Sequence, residues 1–288
     1  MDVLRKLKKS NIRATDIAAQ FWCEKQMELG YIYGRKITAE IRKGKAIHEA
    51  LENETNIPII LMPKGYADAL YKILYTSVSA IKTLIEKGKS REIQIYGSVD
   101  GFPLVGKIDM LELKNNIVTL WEDKTKRNDD LPNTPQLYTH KIQIMFYKKM
   151  LDSLISGAYN RELFNKHYGI DRLILTDEFK RQLSALNINA NEQNLNFIVT
   201  TYFDLFSKLG KISETLRIRY INQFTGNEIK IYKFIYDKNE VENALKFILG
   251  YWKGERDALT VPESEKWKCS YCGFYGKECM VWWPQKHL

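Results

Sequence analysis

The sequence predicts an α/β protein, on three observations. Two strand-forming runs meet at Asn115-Asn116, a long amphipathic helix spans 66–88, and two alternating runs flank Thr225-Gly226-Asn227. The first pair of runs, GKIDMLELKNNIVTLWEDKTK over 106–126, is the stretch around which the chain is organised. Asparagine tolerates the left-handed backbone of a tight hairpin, so Asn115-Asn116 is read as the turn. Lys114 then faces Ile117, and counting outward sets Asp109 opposite Glu122. Side chains so placed have Cβ atoms ~4.5 to 5.5 Å apart, which suits two carboxylates gripping one divalent cation. Residues two apart on a strand share a face, so Lys124 projects beside Glu122.

The helix over 66–88 places Leu70, Ile73, Leu74, Val78, Ile81, Leu84 and Ile85 at helical spacing, and all seven are expected in the core. REIQIYG then forms a strand that leads into the hairpin. In the third observation, TLRIRYI and EIKIYKFIY form a second hairpin. Arg217 and Arg219 alternate there with Leu216, Ile218 and Tyr220, which makes one basic and one apolar face. The basic face either tracks a phosphate backbone or is the solvated side of an edge strand.

The remaining elements follow from caps and breakers. Thr15 and Asp16 are read as the cap and first turn of a helix that runs to about Gly30 and carries Cys23. The segment EIRKGKAIHEALE is helical and sets His48 one turn from Lys45 and from Glu52. KRNDDLPNTP is a polar loop suited to the side of a substrate groove. In QLYTHKIQIMFYKKML, Gln143 and Tyr147 stand one turn apart on an otherwise apolar helix. Further helices are expected at 177–186 and 192–209, and Asn239 caps a last helix that ends before Pro262.

Composition narrows the function classes. The 288 residues are 44% hydrophobic and 12% aromatic, as a folded globule requires. A net charge of +9, from 44 Lys and Arg against 35 Asp and Glu, favours a polyanion: nucleic acid first, anionic membrane second. No apolar run reaches the ~20 residues of a membrane span, and MDVLRKLKKSNIRATD has no apolar signal region. A soluble, intracellular protein is expected: cytoplasmic if prokaryotic or viral, nuclear or mitochondrial if eukaryotic. Three of the four cysteines, Cys269, Cys272 and Cys279, fall within eleven residues; Cys23 lies almost the whole chain away. Inside a cell, a CxxC with a third cysteine nearby has metal-ligand spacing.

The chemistry of the first hairpin is that of phosphodiester hydrolysis. Such a reaction needs a metal to polarise the phosphoryl oxygen and activate water, and a cation to stabilise the developing charge. Asp109 and Glu122 supply the metal site, and Lys124 the charge. The bland alternative is a surface hairpin with an ordinary salt bridge, because ExK triplets are common in lysine-rich chains.

In order along the chain, ATDIAAQFWCEKQMELG, KGKAIHEALE, REIQIYGSVDGFPLVGKIDMLEL, WEDKTK, QIMFYKKML and CSYCGFYGKEC resemble the RecB-like PD-(D/E)xK nucleases, and more narrowly the exonuclease V family of single-strand DNA exonucleases. The resemblance implies a restriction-endonuclease-like core, a mixed central sheet flanked by helices, with a helical lobe. It implies one nuclease domain over 1–288: an N-terminal helical part (14–90), a catalytic core (91–155), a helical and hairpin insert (156–238) and a C-terminal helix with cysteine tail (239–288). By motif, His48 with Gly44 is the metal-binding histidine, and Asp109, Glu122 and the backbone carbonyl of Asp123 complete the metal shell. Lys124 is then the catalytic lysine, Gln143 and Tyr147 support it and the DNA, and Lys126 stands where an arginine is commoner. Cys23, Cys269, Cys272 and Cys279 are implied to hold a 4Fe-4S cluster that clips the N-terminal helix to the tail. The gap between Cys272 and Cys279 is one residue longer than the family pattern, and four thiolates also suit zinc.

The resemblance further implies Mg2+ or Mn2+ as cofactor, single-stranded DNA as substrate, short oligonucleotide products, DNA repair or replication processing as the role, a single-strand-binding protein as a partner, and a monomer. Two rivals stand beside it. A CRISPR-associated RecB-like nuclease shares the triad and cysteines; a catalytically silent DNA-binding subunit would have lost residues that are all intact here.

Overall fold

The computed structural model describes residues 3–35, 37–55 and 60–281. In chain order, α1 (Val3–Lys6) and β1 (Ile12–Arg13) lead into α2 (Ala14–Ile32), α3 (Ala39–Asn53) and α4 (Tyr66–Lys87). Three strands follow: β2 (Lys89–Val99), β3 (Phe102–Lys114) and β4 (Ile117–Lys126). Next come α5 (Thr134–Ile155), α6 (Arg161–Tyr168), α7 (Asp177–Ala185) and α8 (Leu195–Ser207). The strands β5 (Lys211–Ile212), β6 (Thr215–Asn222) and β7 (Glu228–Ile235) precede α9 (Lys238–Trp252) and a 3-10 segment, Glu263–Tyr271.

The strands form one seven-stranded mixed sheet flanked by helices. Asn115 and Asn116 take φ of 52° and 59°, the left-handed turn that their side chains tolerate. From there β3 and β4 pair Lys114↔Ile117 through Met110↔Trp121, and the ladder ends at that pair. Beyond it β4 runs parallel to β6, from Trp121↔Arg217 to Lys126↔Asn222, while β3 continues along β2 and meets β1 at Leu104 and Val105. The hairpin therefore opens at Asp109 and Glu122.

Helix α4 begins at Tyr66 and stops at Gly88, whose φ of 75° ends it in a left-handed cap. Leu70, Leu74, Val78, Ile81 and Leu84 are buried against the sheet as expected, but Ile73 and Ile85 are exposed. These two flank the buried stripe, so an apolar residue at helical spacing lands outside the packed face. Ile93, Ile95, Ile108, Leu111, Val118 and Leu120 of the central strands are each fully buried, in one core cluster with Ile144, Met145 and Phe146 of α5.

Three local expectations change. Arg13, not Thr15, caps α2, with its backbone N–H bonded to the Asp16 carboxylate at 2.9 Å. Asp237, not Asn239, caps α9 through the amide of Glu240, and that helix ends at Trp252 rather than near Pro262. Strand β6 is not an edge strand, because β4 and β7 pair on its two sides. Arg217 and Arg219 accordingly turn to protein partners: Arg217 stacks on Trp121 and Arg219 binds Asp123.

A candidate metal and phosphodiester site at the open end of a hairpin

Where β3 and β4 part, the Asp109 carboxylate takes the Asp123 backbone N–H at 2.7 Å. Asp123 itself points away. Its carboxylate is fully buried between Arg91 and Arg219, with N···O distances of 2.7 to 2.8 Å to both guanidinium groups. Arg219 meets the carboxylate fork to fork, Nε on Oδ1 and Nη2 on Oδ2, whereas Arg91 puts both terminal nitrogens on Oδ2; the bonds are charge-assisted and geometrically specific. They fix the backbone at Asp123, which borders the cleft while its carboxylate is spent on the two arginines.

Glu122 and Lys124 turn to the opposite side. Lys124 Nζ donates to Glu122 Oε1 at 2.5 Å and to Gln143 Oε1 at 2.9 Å. Gln143 Nε2 in turn donates to Glu122 Oε1 at 2.7 Å and to the Tyr147 hydroxyl at 2.9 Å. Gln143 and Tyr147 thus bear on the lysine from α5, one helical turn apart. Tyr147 reaches this position because residue 106 is glycine: a Cβ there would sit 2.6 Å from the tyrosine ring.

The sequence reading did not include Glu92, and the structure brings it in. Between the pairs Arg91↔Met110 and Ile93↔Ile108, Glu92 adopts a left-handed φ of 56°. That conformation costs a non-glycine residue ~1 to 3 kcal/mol and clusters at functional sites. His48 Nδ1 lies 3.4 Å from Glu92 Oε1 and 3.6 Å from Asp109 Oδ1. Among the described residues, His48, Glu92 and Asp109 form a group whose ligand atoms all lie within 4.8 Å of one another. The signal for Glu92 was present in REIQIYG, but its role depends on a backbone kink that composition does not encode.

Positive charge reaches these carboxylates from Lys124 on Glu122 and from Lys107, whose Nζ lies 2.5 Å from Glu92 Oε2. Burial holds the Asp109 carboxyl up at about 7 and the Glu122 carboxyl up at about 8, with Lys124 only partly offsetting this at each. Glu122 Oε2 is buried and has no hydrogen-bond partner. Buried polar atoms are nearly always paired, so an orphan carboxylate oxygen beside Asp109 and His48 fits a missing cation. The donor set, one imidazole and hard carboxylate oxygens, suits Mg2+ or Mn2+.

These groups line a cleft of about 1250 Å³. Helix α3 lays Ile41, Gly44, Lys45, His48 and Glu52 along it. Gly44 lets α3 come close to β4, since a Cβ there would lie 2.9 Å from Thr125 Oγ1. Arg13, Arg35 and Lys45 add positive charge to the walls. Lys126 is not among the described residues that line the cleft; partial burial lowers its pKa, with Asp130 opposing.

The cysteines meet at a second place. Cys23 breaks α2 with φ −167° and ψ 109°, and its Sγ accepts the Gln26 amide at 3.4 Å, as a cap would. Cys23, Cys269, Cys272 and Cys279 all line one pocket with Trp22, Val261 and Tyr275. Burial raises the Cys23 thiol, and Cys272 and Cys279 raise it further. Four cysteines without a carboxylate or imidazole among the described lining residues are a soft donor set, suited to zinc or an iron-sulfur cluster. The α2-to-tail junction also has ties of its own. The buried Glu24 carboxylate binds Arg256 and the Leu259 amide, and Trp252 Nε1 donates to Gln20 at 2.8 Å.

Comparison with known proteins agrees with the order of the motifs. The family model described as exonuclease V, a 5′ deoxyribonuclease, matches residues 1–123, 114–200 and 193–283. Exonuclease V of Danio rerio is 25% identical over 287 residues, covering 93% of this chain and 70% of the relative. A crystal structure of SSO0001 is 12% identical, with a TM-score of 0.42 over 92% of this chain and 83% of that chain.

Proposed function

The chain belongs to the exonuclease V family, and from that premise we propose that it hydrolyses single-stranded DNA from an end, with Mg2+ or Mn2+ held in the cleft at Asp109 and Glu122. Two observations support the metal: His48, Glu92 and Asp109 bring their ligand atoms within 4.8 Å of one another, and Glu122, outside that group but electrostatically coupled to Asp109 and His48, keeps a buried, partnerless Oε2. The family description supplies the 5′ polarity and the DNA substrate.

In this reading His48, Glu92, Asp109, Glu122 and the Asp123 carbonyl hold the cation. Bound there, the metal would supply Lewis-acid stabilisation of the phosphoryl group and lower the pKa of water. The remaining steps belong to the protein. Lys124, held by Gln143 and Glu122, sets a fixed positive charge against the phosphoryl oxygens as charge develops. Tyr147 and Gln143 keep the lysine from swinging into solvent, and Arg91 with Arg219 fixes the strand that carries Glu122 and Lys124. The sequence WEDKTK at the end of an opened hairpin is the PD-(D/E)xK arrangement in this proposal.

The preference for a single strand is supported by α3, which crosses close over β4 at Gly44 and so borders the cleft on the side of the carboxylates. The cysteine pocket is proposed to hold a 4Fe-4S cluster with a structural role. The four thiols that α2 and the tail bring to one pocket support it, and zinc is the alternative that the same donor set allows.

The test uses 5′- and 3′-labelled linear DNA and a circular single strand, each with and without Mg2+, for the wild type and Lys124→Ala. Metal-dependent loss of the linear strand from its 5′ end, with the circle spared and the variant inactive, is expected. Cleavage of the circle, or activity in EDTA, contradicts the reading.

A further inference from the structure

Beyond the carboxylates, one part of the cleft is lined differently, with tyrosines in place of charges. Tyr66 and Ile73 lie seven residues apart on α4 and so share its cleft-facing side, and both are exposed, at 54% and 41%. Across from them, Tyr96 of β2 and Tyr168 at the end of α6 stand edge to face with ring centroids 5.5 Å apart. Tyr168 lines the cleft, only 9% of its surface is exposed, and its buried hydroxyl has no hydrogen-bond partner. Two features of this corner need an explanation: large apolar side chains left in water, and a hydroxyl withdrawn from water without a substitute. One occupant answers both, a planar group with an apolar face and a polar edge.

Resting on the nuclease reading above, we propose that Tyr66, Ile73 and Tyr168 form a nucleobase subsite, in which one base of the DNA strand stacks on the Tyr66 ring and meets the Tyr168 hydroxyl with its hydrogen-bonding edge. Aromatic platforms of this kind are how single strands are held with little sequence preference, because every base has a π-face. A phosphate does not fit here, since the charged wall residues Arg13, Arg35 and Lys45 belong to β1, the segment before α3, and α3, and Lys107 is paired with Glu92. Strand β2 fixes the distance. Glu92, Gln94 and Tyr96 all reach the cleft from one face of β2, and four residues of strand span about 13 Å. At a stacked rise of about 3.4 Å per nucleotide the subsite lies within about four nucleotides of the metal-binding carboxylates, and fewer on a stretched strand. The pocket thus sets the register of the strand in the cleft.

The test is equilibrium binding in EDTA, so that no cleavage occurs, with the full chain and single-stranded oligonucleotides that carry one abasic residue at successive positions. Wild-type binding is expected to weaken at one position within four nucleotides of the end that enters the site, about 5- to 150-fold for a lost stack. Tyr66→Ala, at an exposed position, is expected to bind the intact strand as weakly as the wild type binds that abasic strand, and to show no further loss from it. Tyr168→Phe removes only the partnerless hydroxyl and is expected to melt no lower than the wild type while binding the intact strand more weakly, with a smaller loss from the abasic residue at that position. A flat abasic scan in a wild type that binds and cleaves overturns the subsite alone, as does a Tyr66→Ala variant still penalised at the same position. A wild type that neither binds nor cleaves single strands overturns the nuclease reading and the subsite with it.

Discussion

Asp109 of β3 accepts the Asp123 amide of β4 one step beyond the last cross-strand pair, Met110↔Trp121, at 2.7 Å. A side chain here replaces a rung of the ladder. The strands separate, yet the two segments that carry the carboxylates stay tied. Asp109→Asn keeps an acceptor oxygen for that amide, whereas Asp109→Ala leaves a buried N–H unpaired and should cost about 1 to 3 kcal/mol. Urea unfolding should place Asp109→Asn near the wild type and Asp109→Ala below it, and a Mn2+ titration should find binding lost in both. Undiminished Mn2+ binding by Asp109→Asn would remove Asp109 from the ligand set.

The pH dependence of the metal-free protein follows from the same burial. Asp109 at about 7 and Glu122 at about 8 hold protons in the folded chain that an unfolded carboxyl loses near pH 4. Between those limits the native state binds more protons than the unfolded state, so stability falls as pH rises from about 4 to about 8. In EDTA the melting temperature should decline across that window, less steeply in Glu122→Gln. Mn2+ binds the deprotonated carboxylates and should raise the melting temperature most at the alkaline end. An EDTA curve no steeper for the wild type than for Glu122→Gln would contradict this assignment.

The pair of arginines on Asp123 should matter more to folding than to binding. The Asp123 side chain has no exposed surface and Arg91 almost none, while Arg219 keeps 20%. Removing one partner of a buried ion pair costs ~3 to 5 kcal/mol because the other charge is stranded. Arg91→Met should approach that loss in urea unfolding and Arg219→Met should fall short of it, since water reaches Arg219. Equal, small losses would show that Asp123 is not held in this way.

Gly106 makes room for the Tyr147 ring. Gly106→Ala sets a methyl 2.6 Å from that ring, so the tyrosine or the strand must shift. Overpacking of this kind costs ~1 to 3 kcal/mol. Because Tyr147 backs Gln143 and Gln143 holds Lys124, turnover should fall by more than the stability loss explains at temperatures where the variant remains folded. Full activity in a destabilised Gly106→Ala would place Tyr147 outside the chain of contacts to the lysine.

Much of the hairpin is legible from local rules, because Asn115-Asn116 fixes the turn and the strand period then fixes the register. The same counting misses where the ladder stops, since that depends on β6, a strand about a hundred residues later, competing for β4. Glu92, Arg91 and Arg219 escape the sequence for a related reason: their roles come from a kinked strand and from pairing across distant segments. Arg219 reads as a basic surface residue until β6 is placed beside β4. Ile73 reads as core from its spacing, but its position on α4 turns it to the cleft. The caps fail on a smaller scale: Asp237 takes a place for which Asn239 was equally plausible by type, and Arg13 caps α2 through its backbone amide on Asp16, which no side-chain preference signals.

Glu122 joins the lysine and the glutamine to the proposed metal in one side chain, and the most direct measurement titrates Mn2+ into the wild type and Glu122→Gln while 5′-labelled single-stranded DNA is followed in the same samples. The glutamine keeps an acceptor for Lys124 but removes the orphan anionic oxygen. The account predicts Mn2+ binding and cleavage together in the wild type, with both lost in the variant and its fold retained by circular dichroism. A Glu122→Gln protein that binds Mn2+ as tightly as the wild type, or that still shortens the strand, would contradict it.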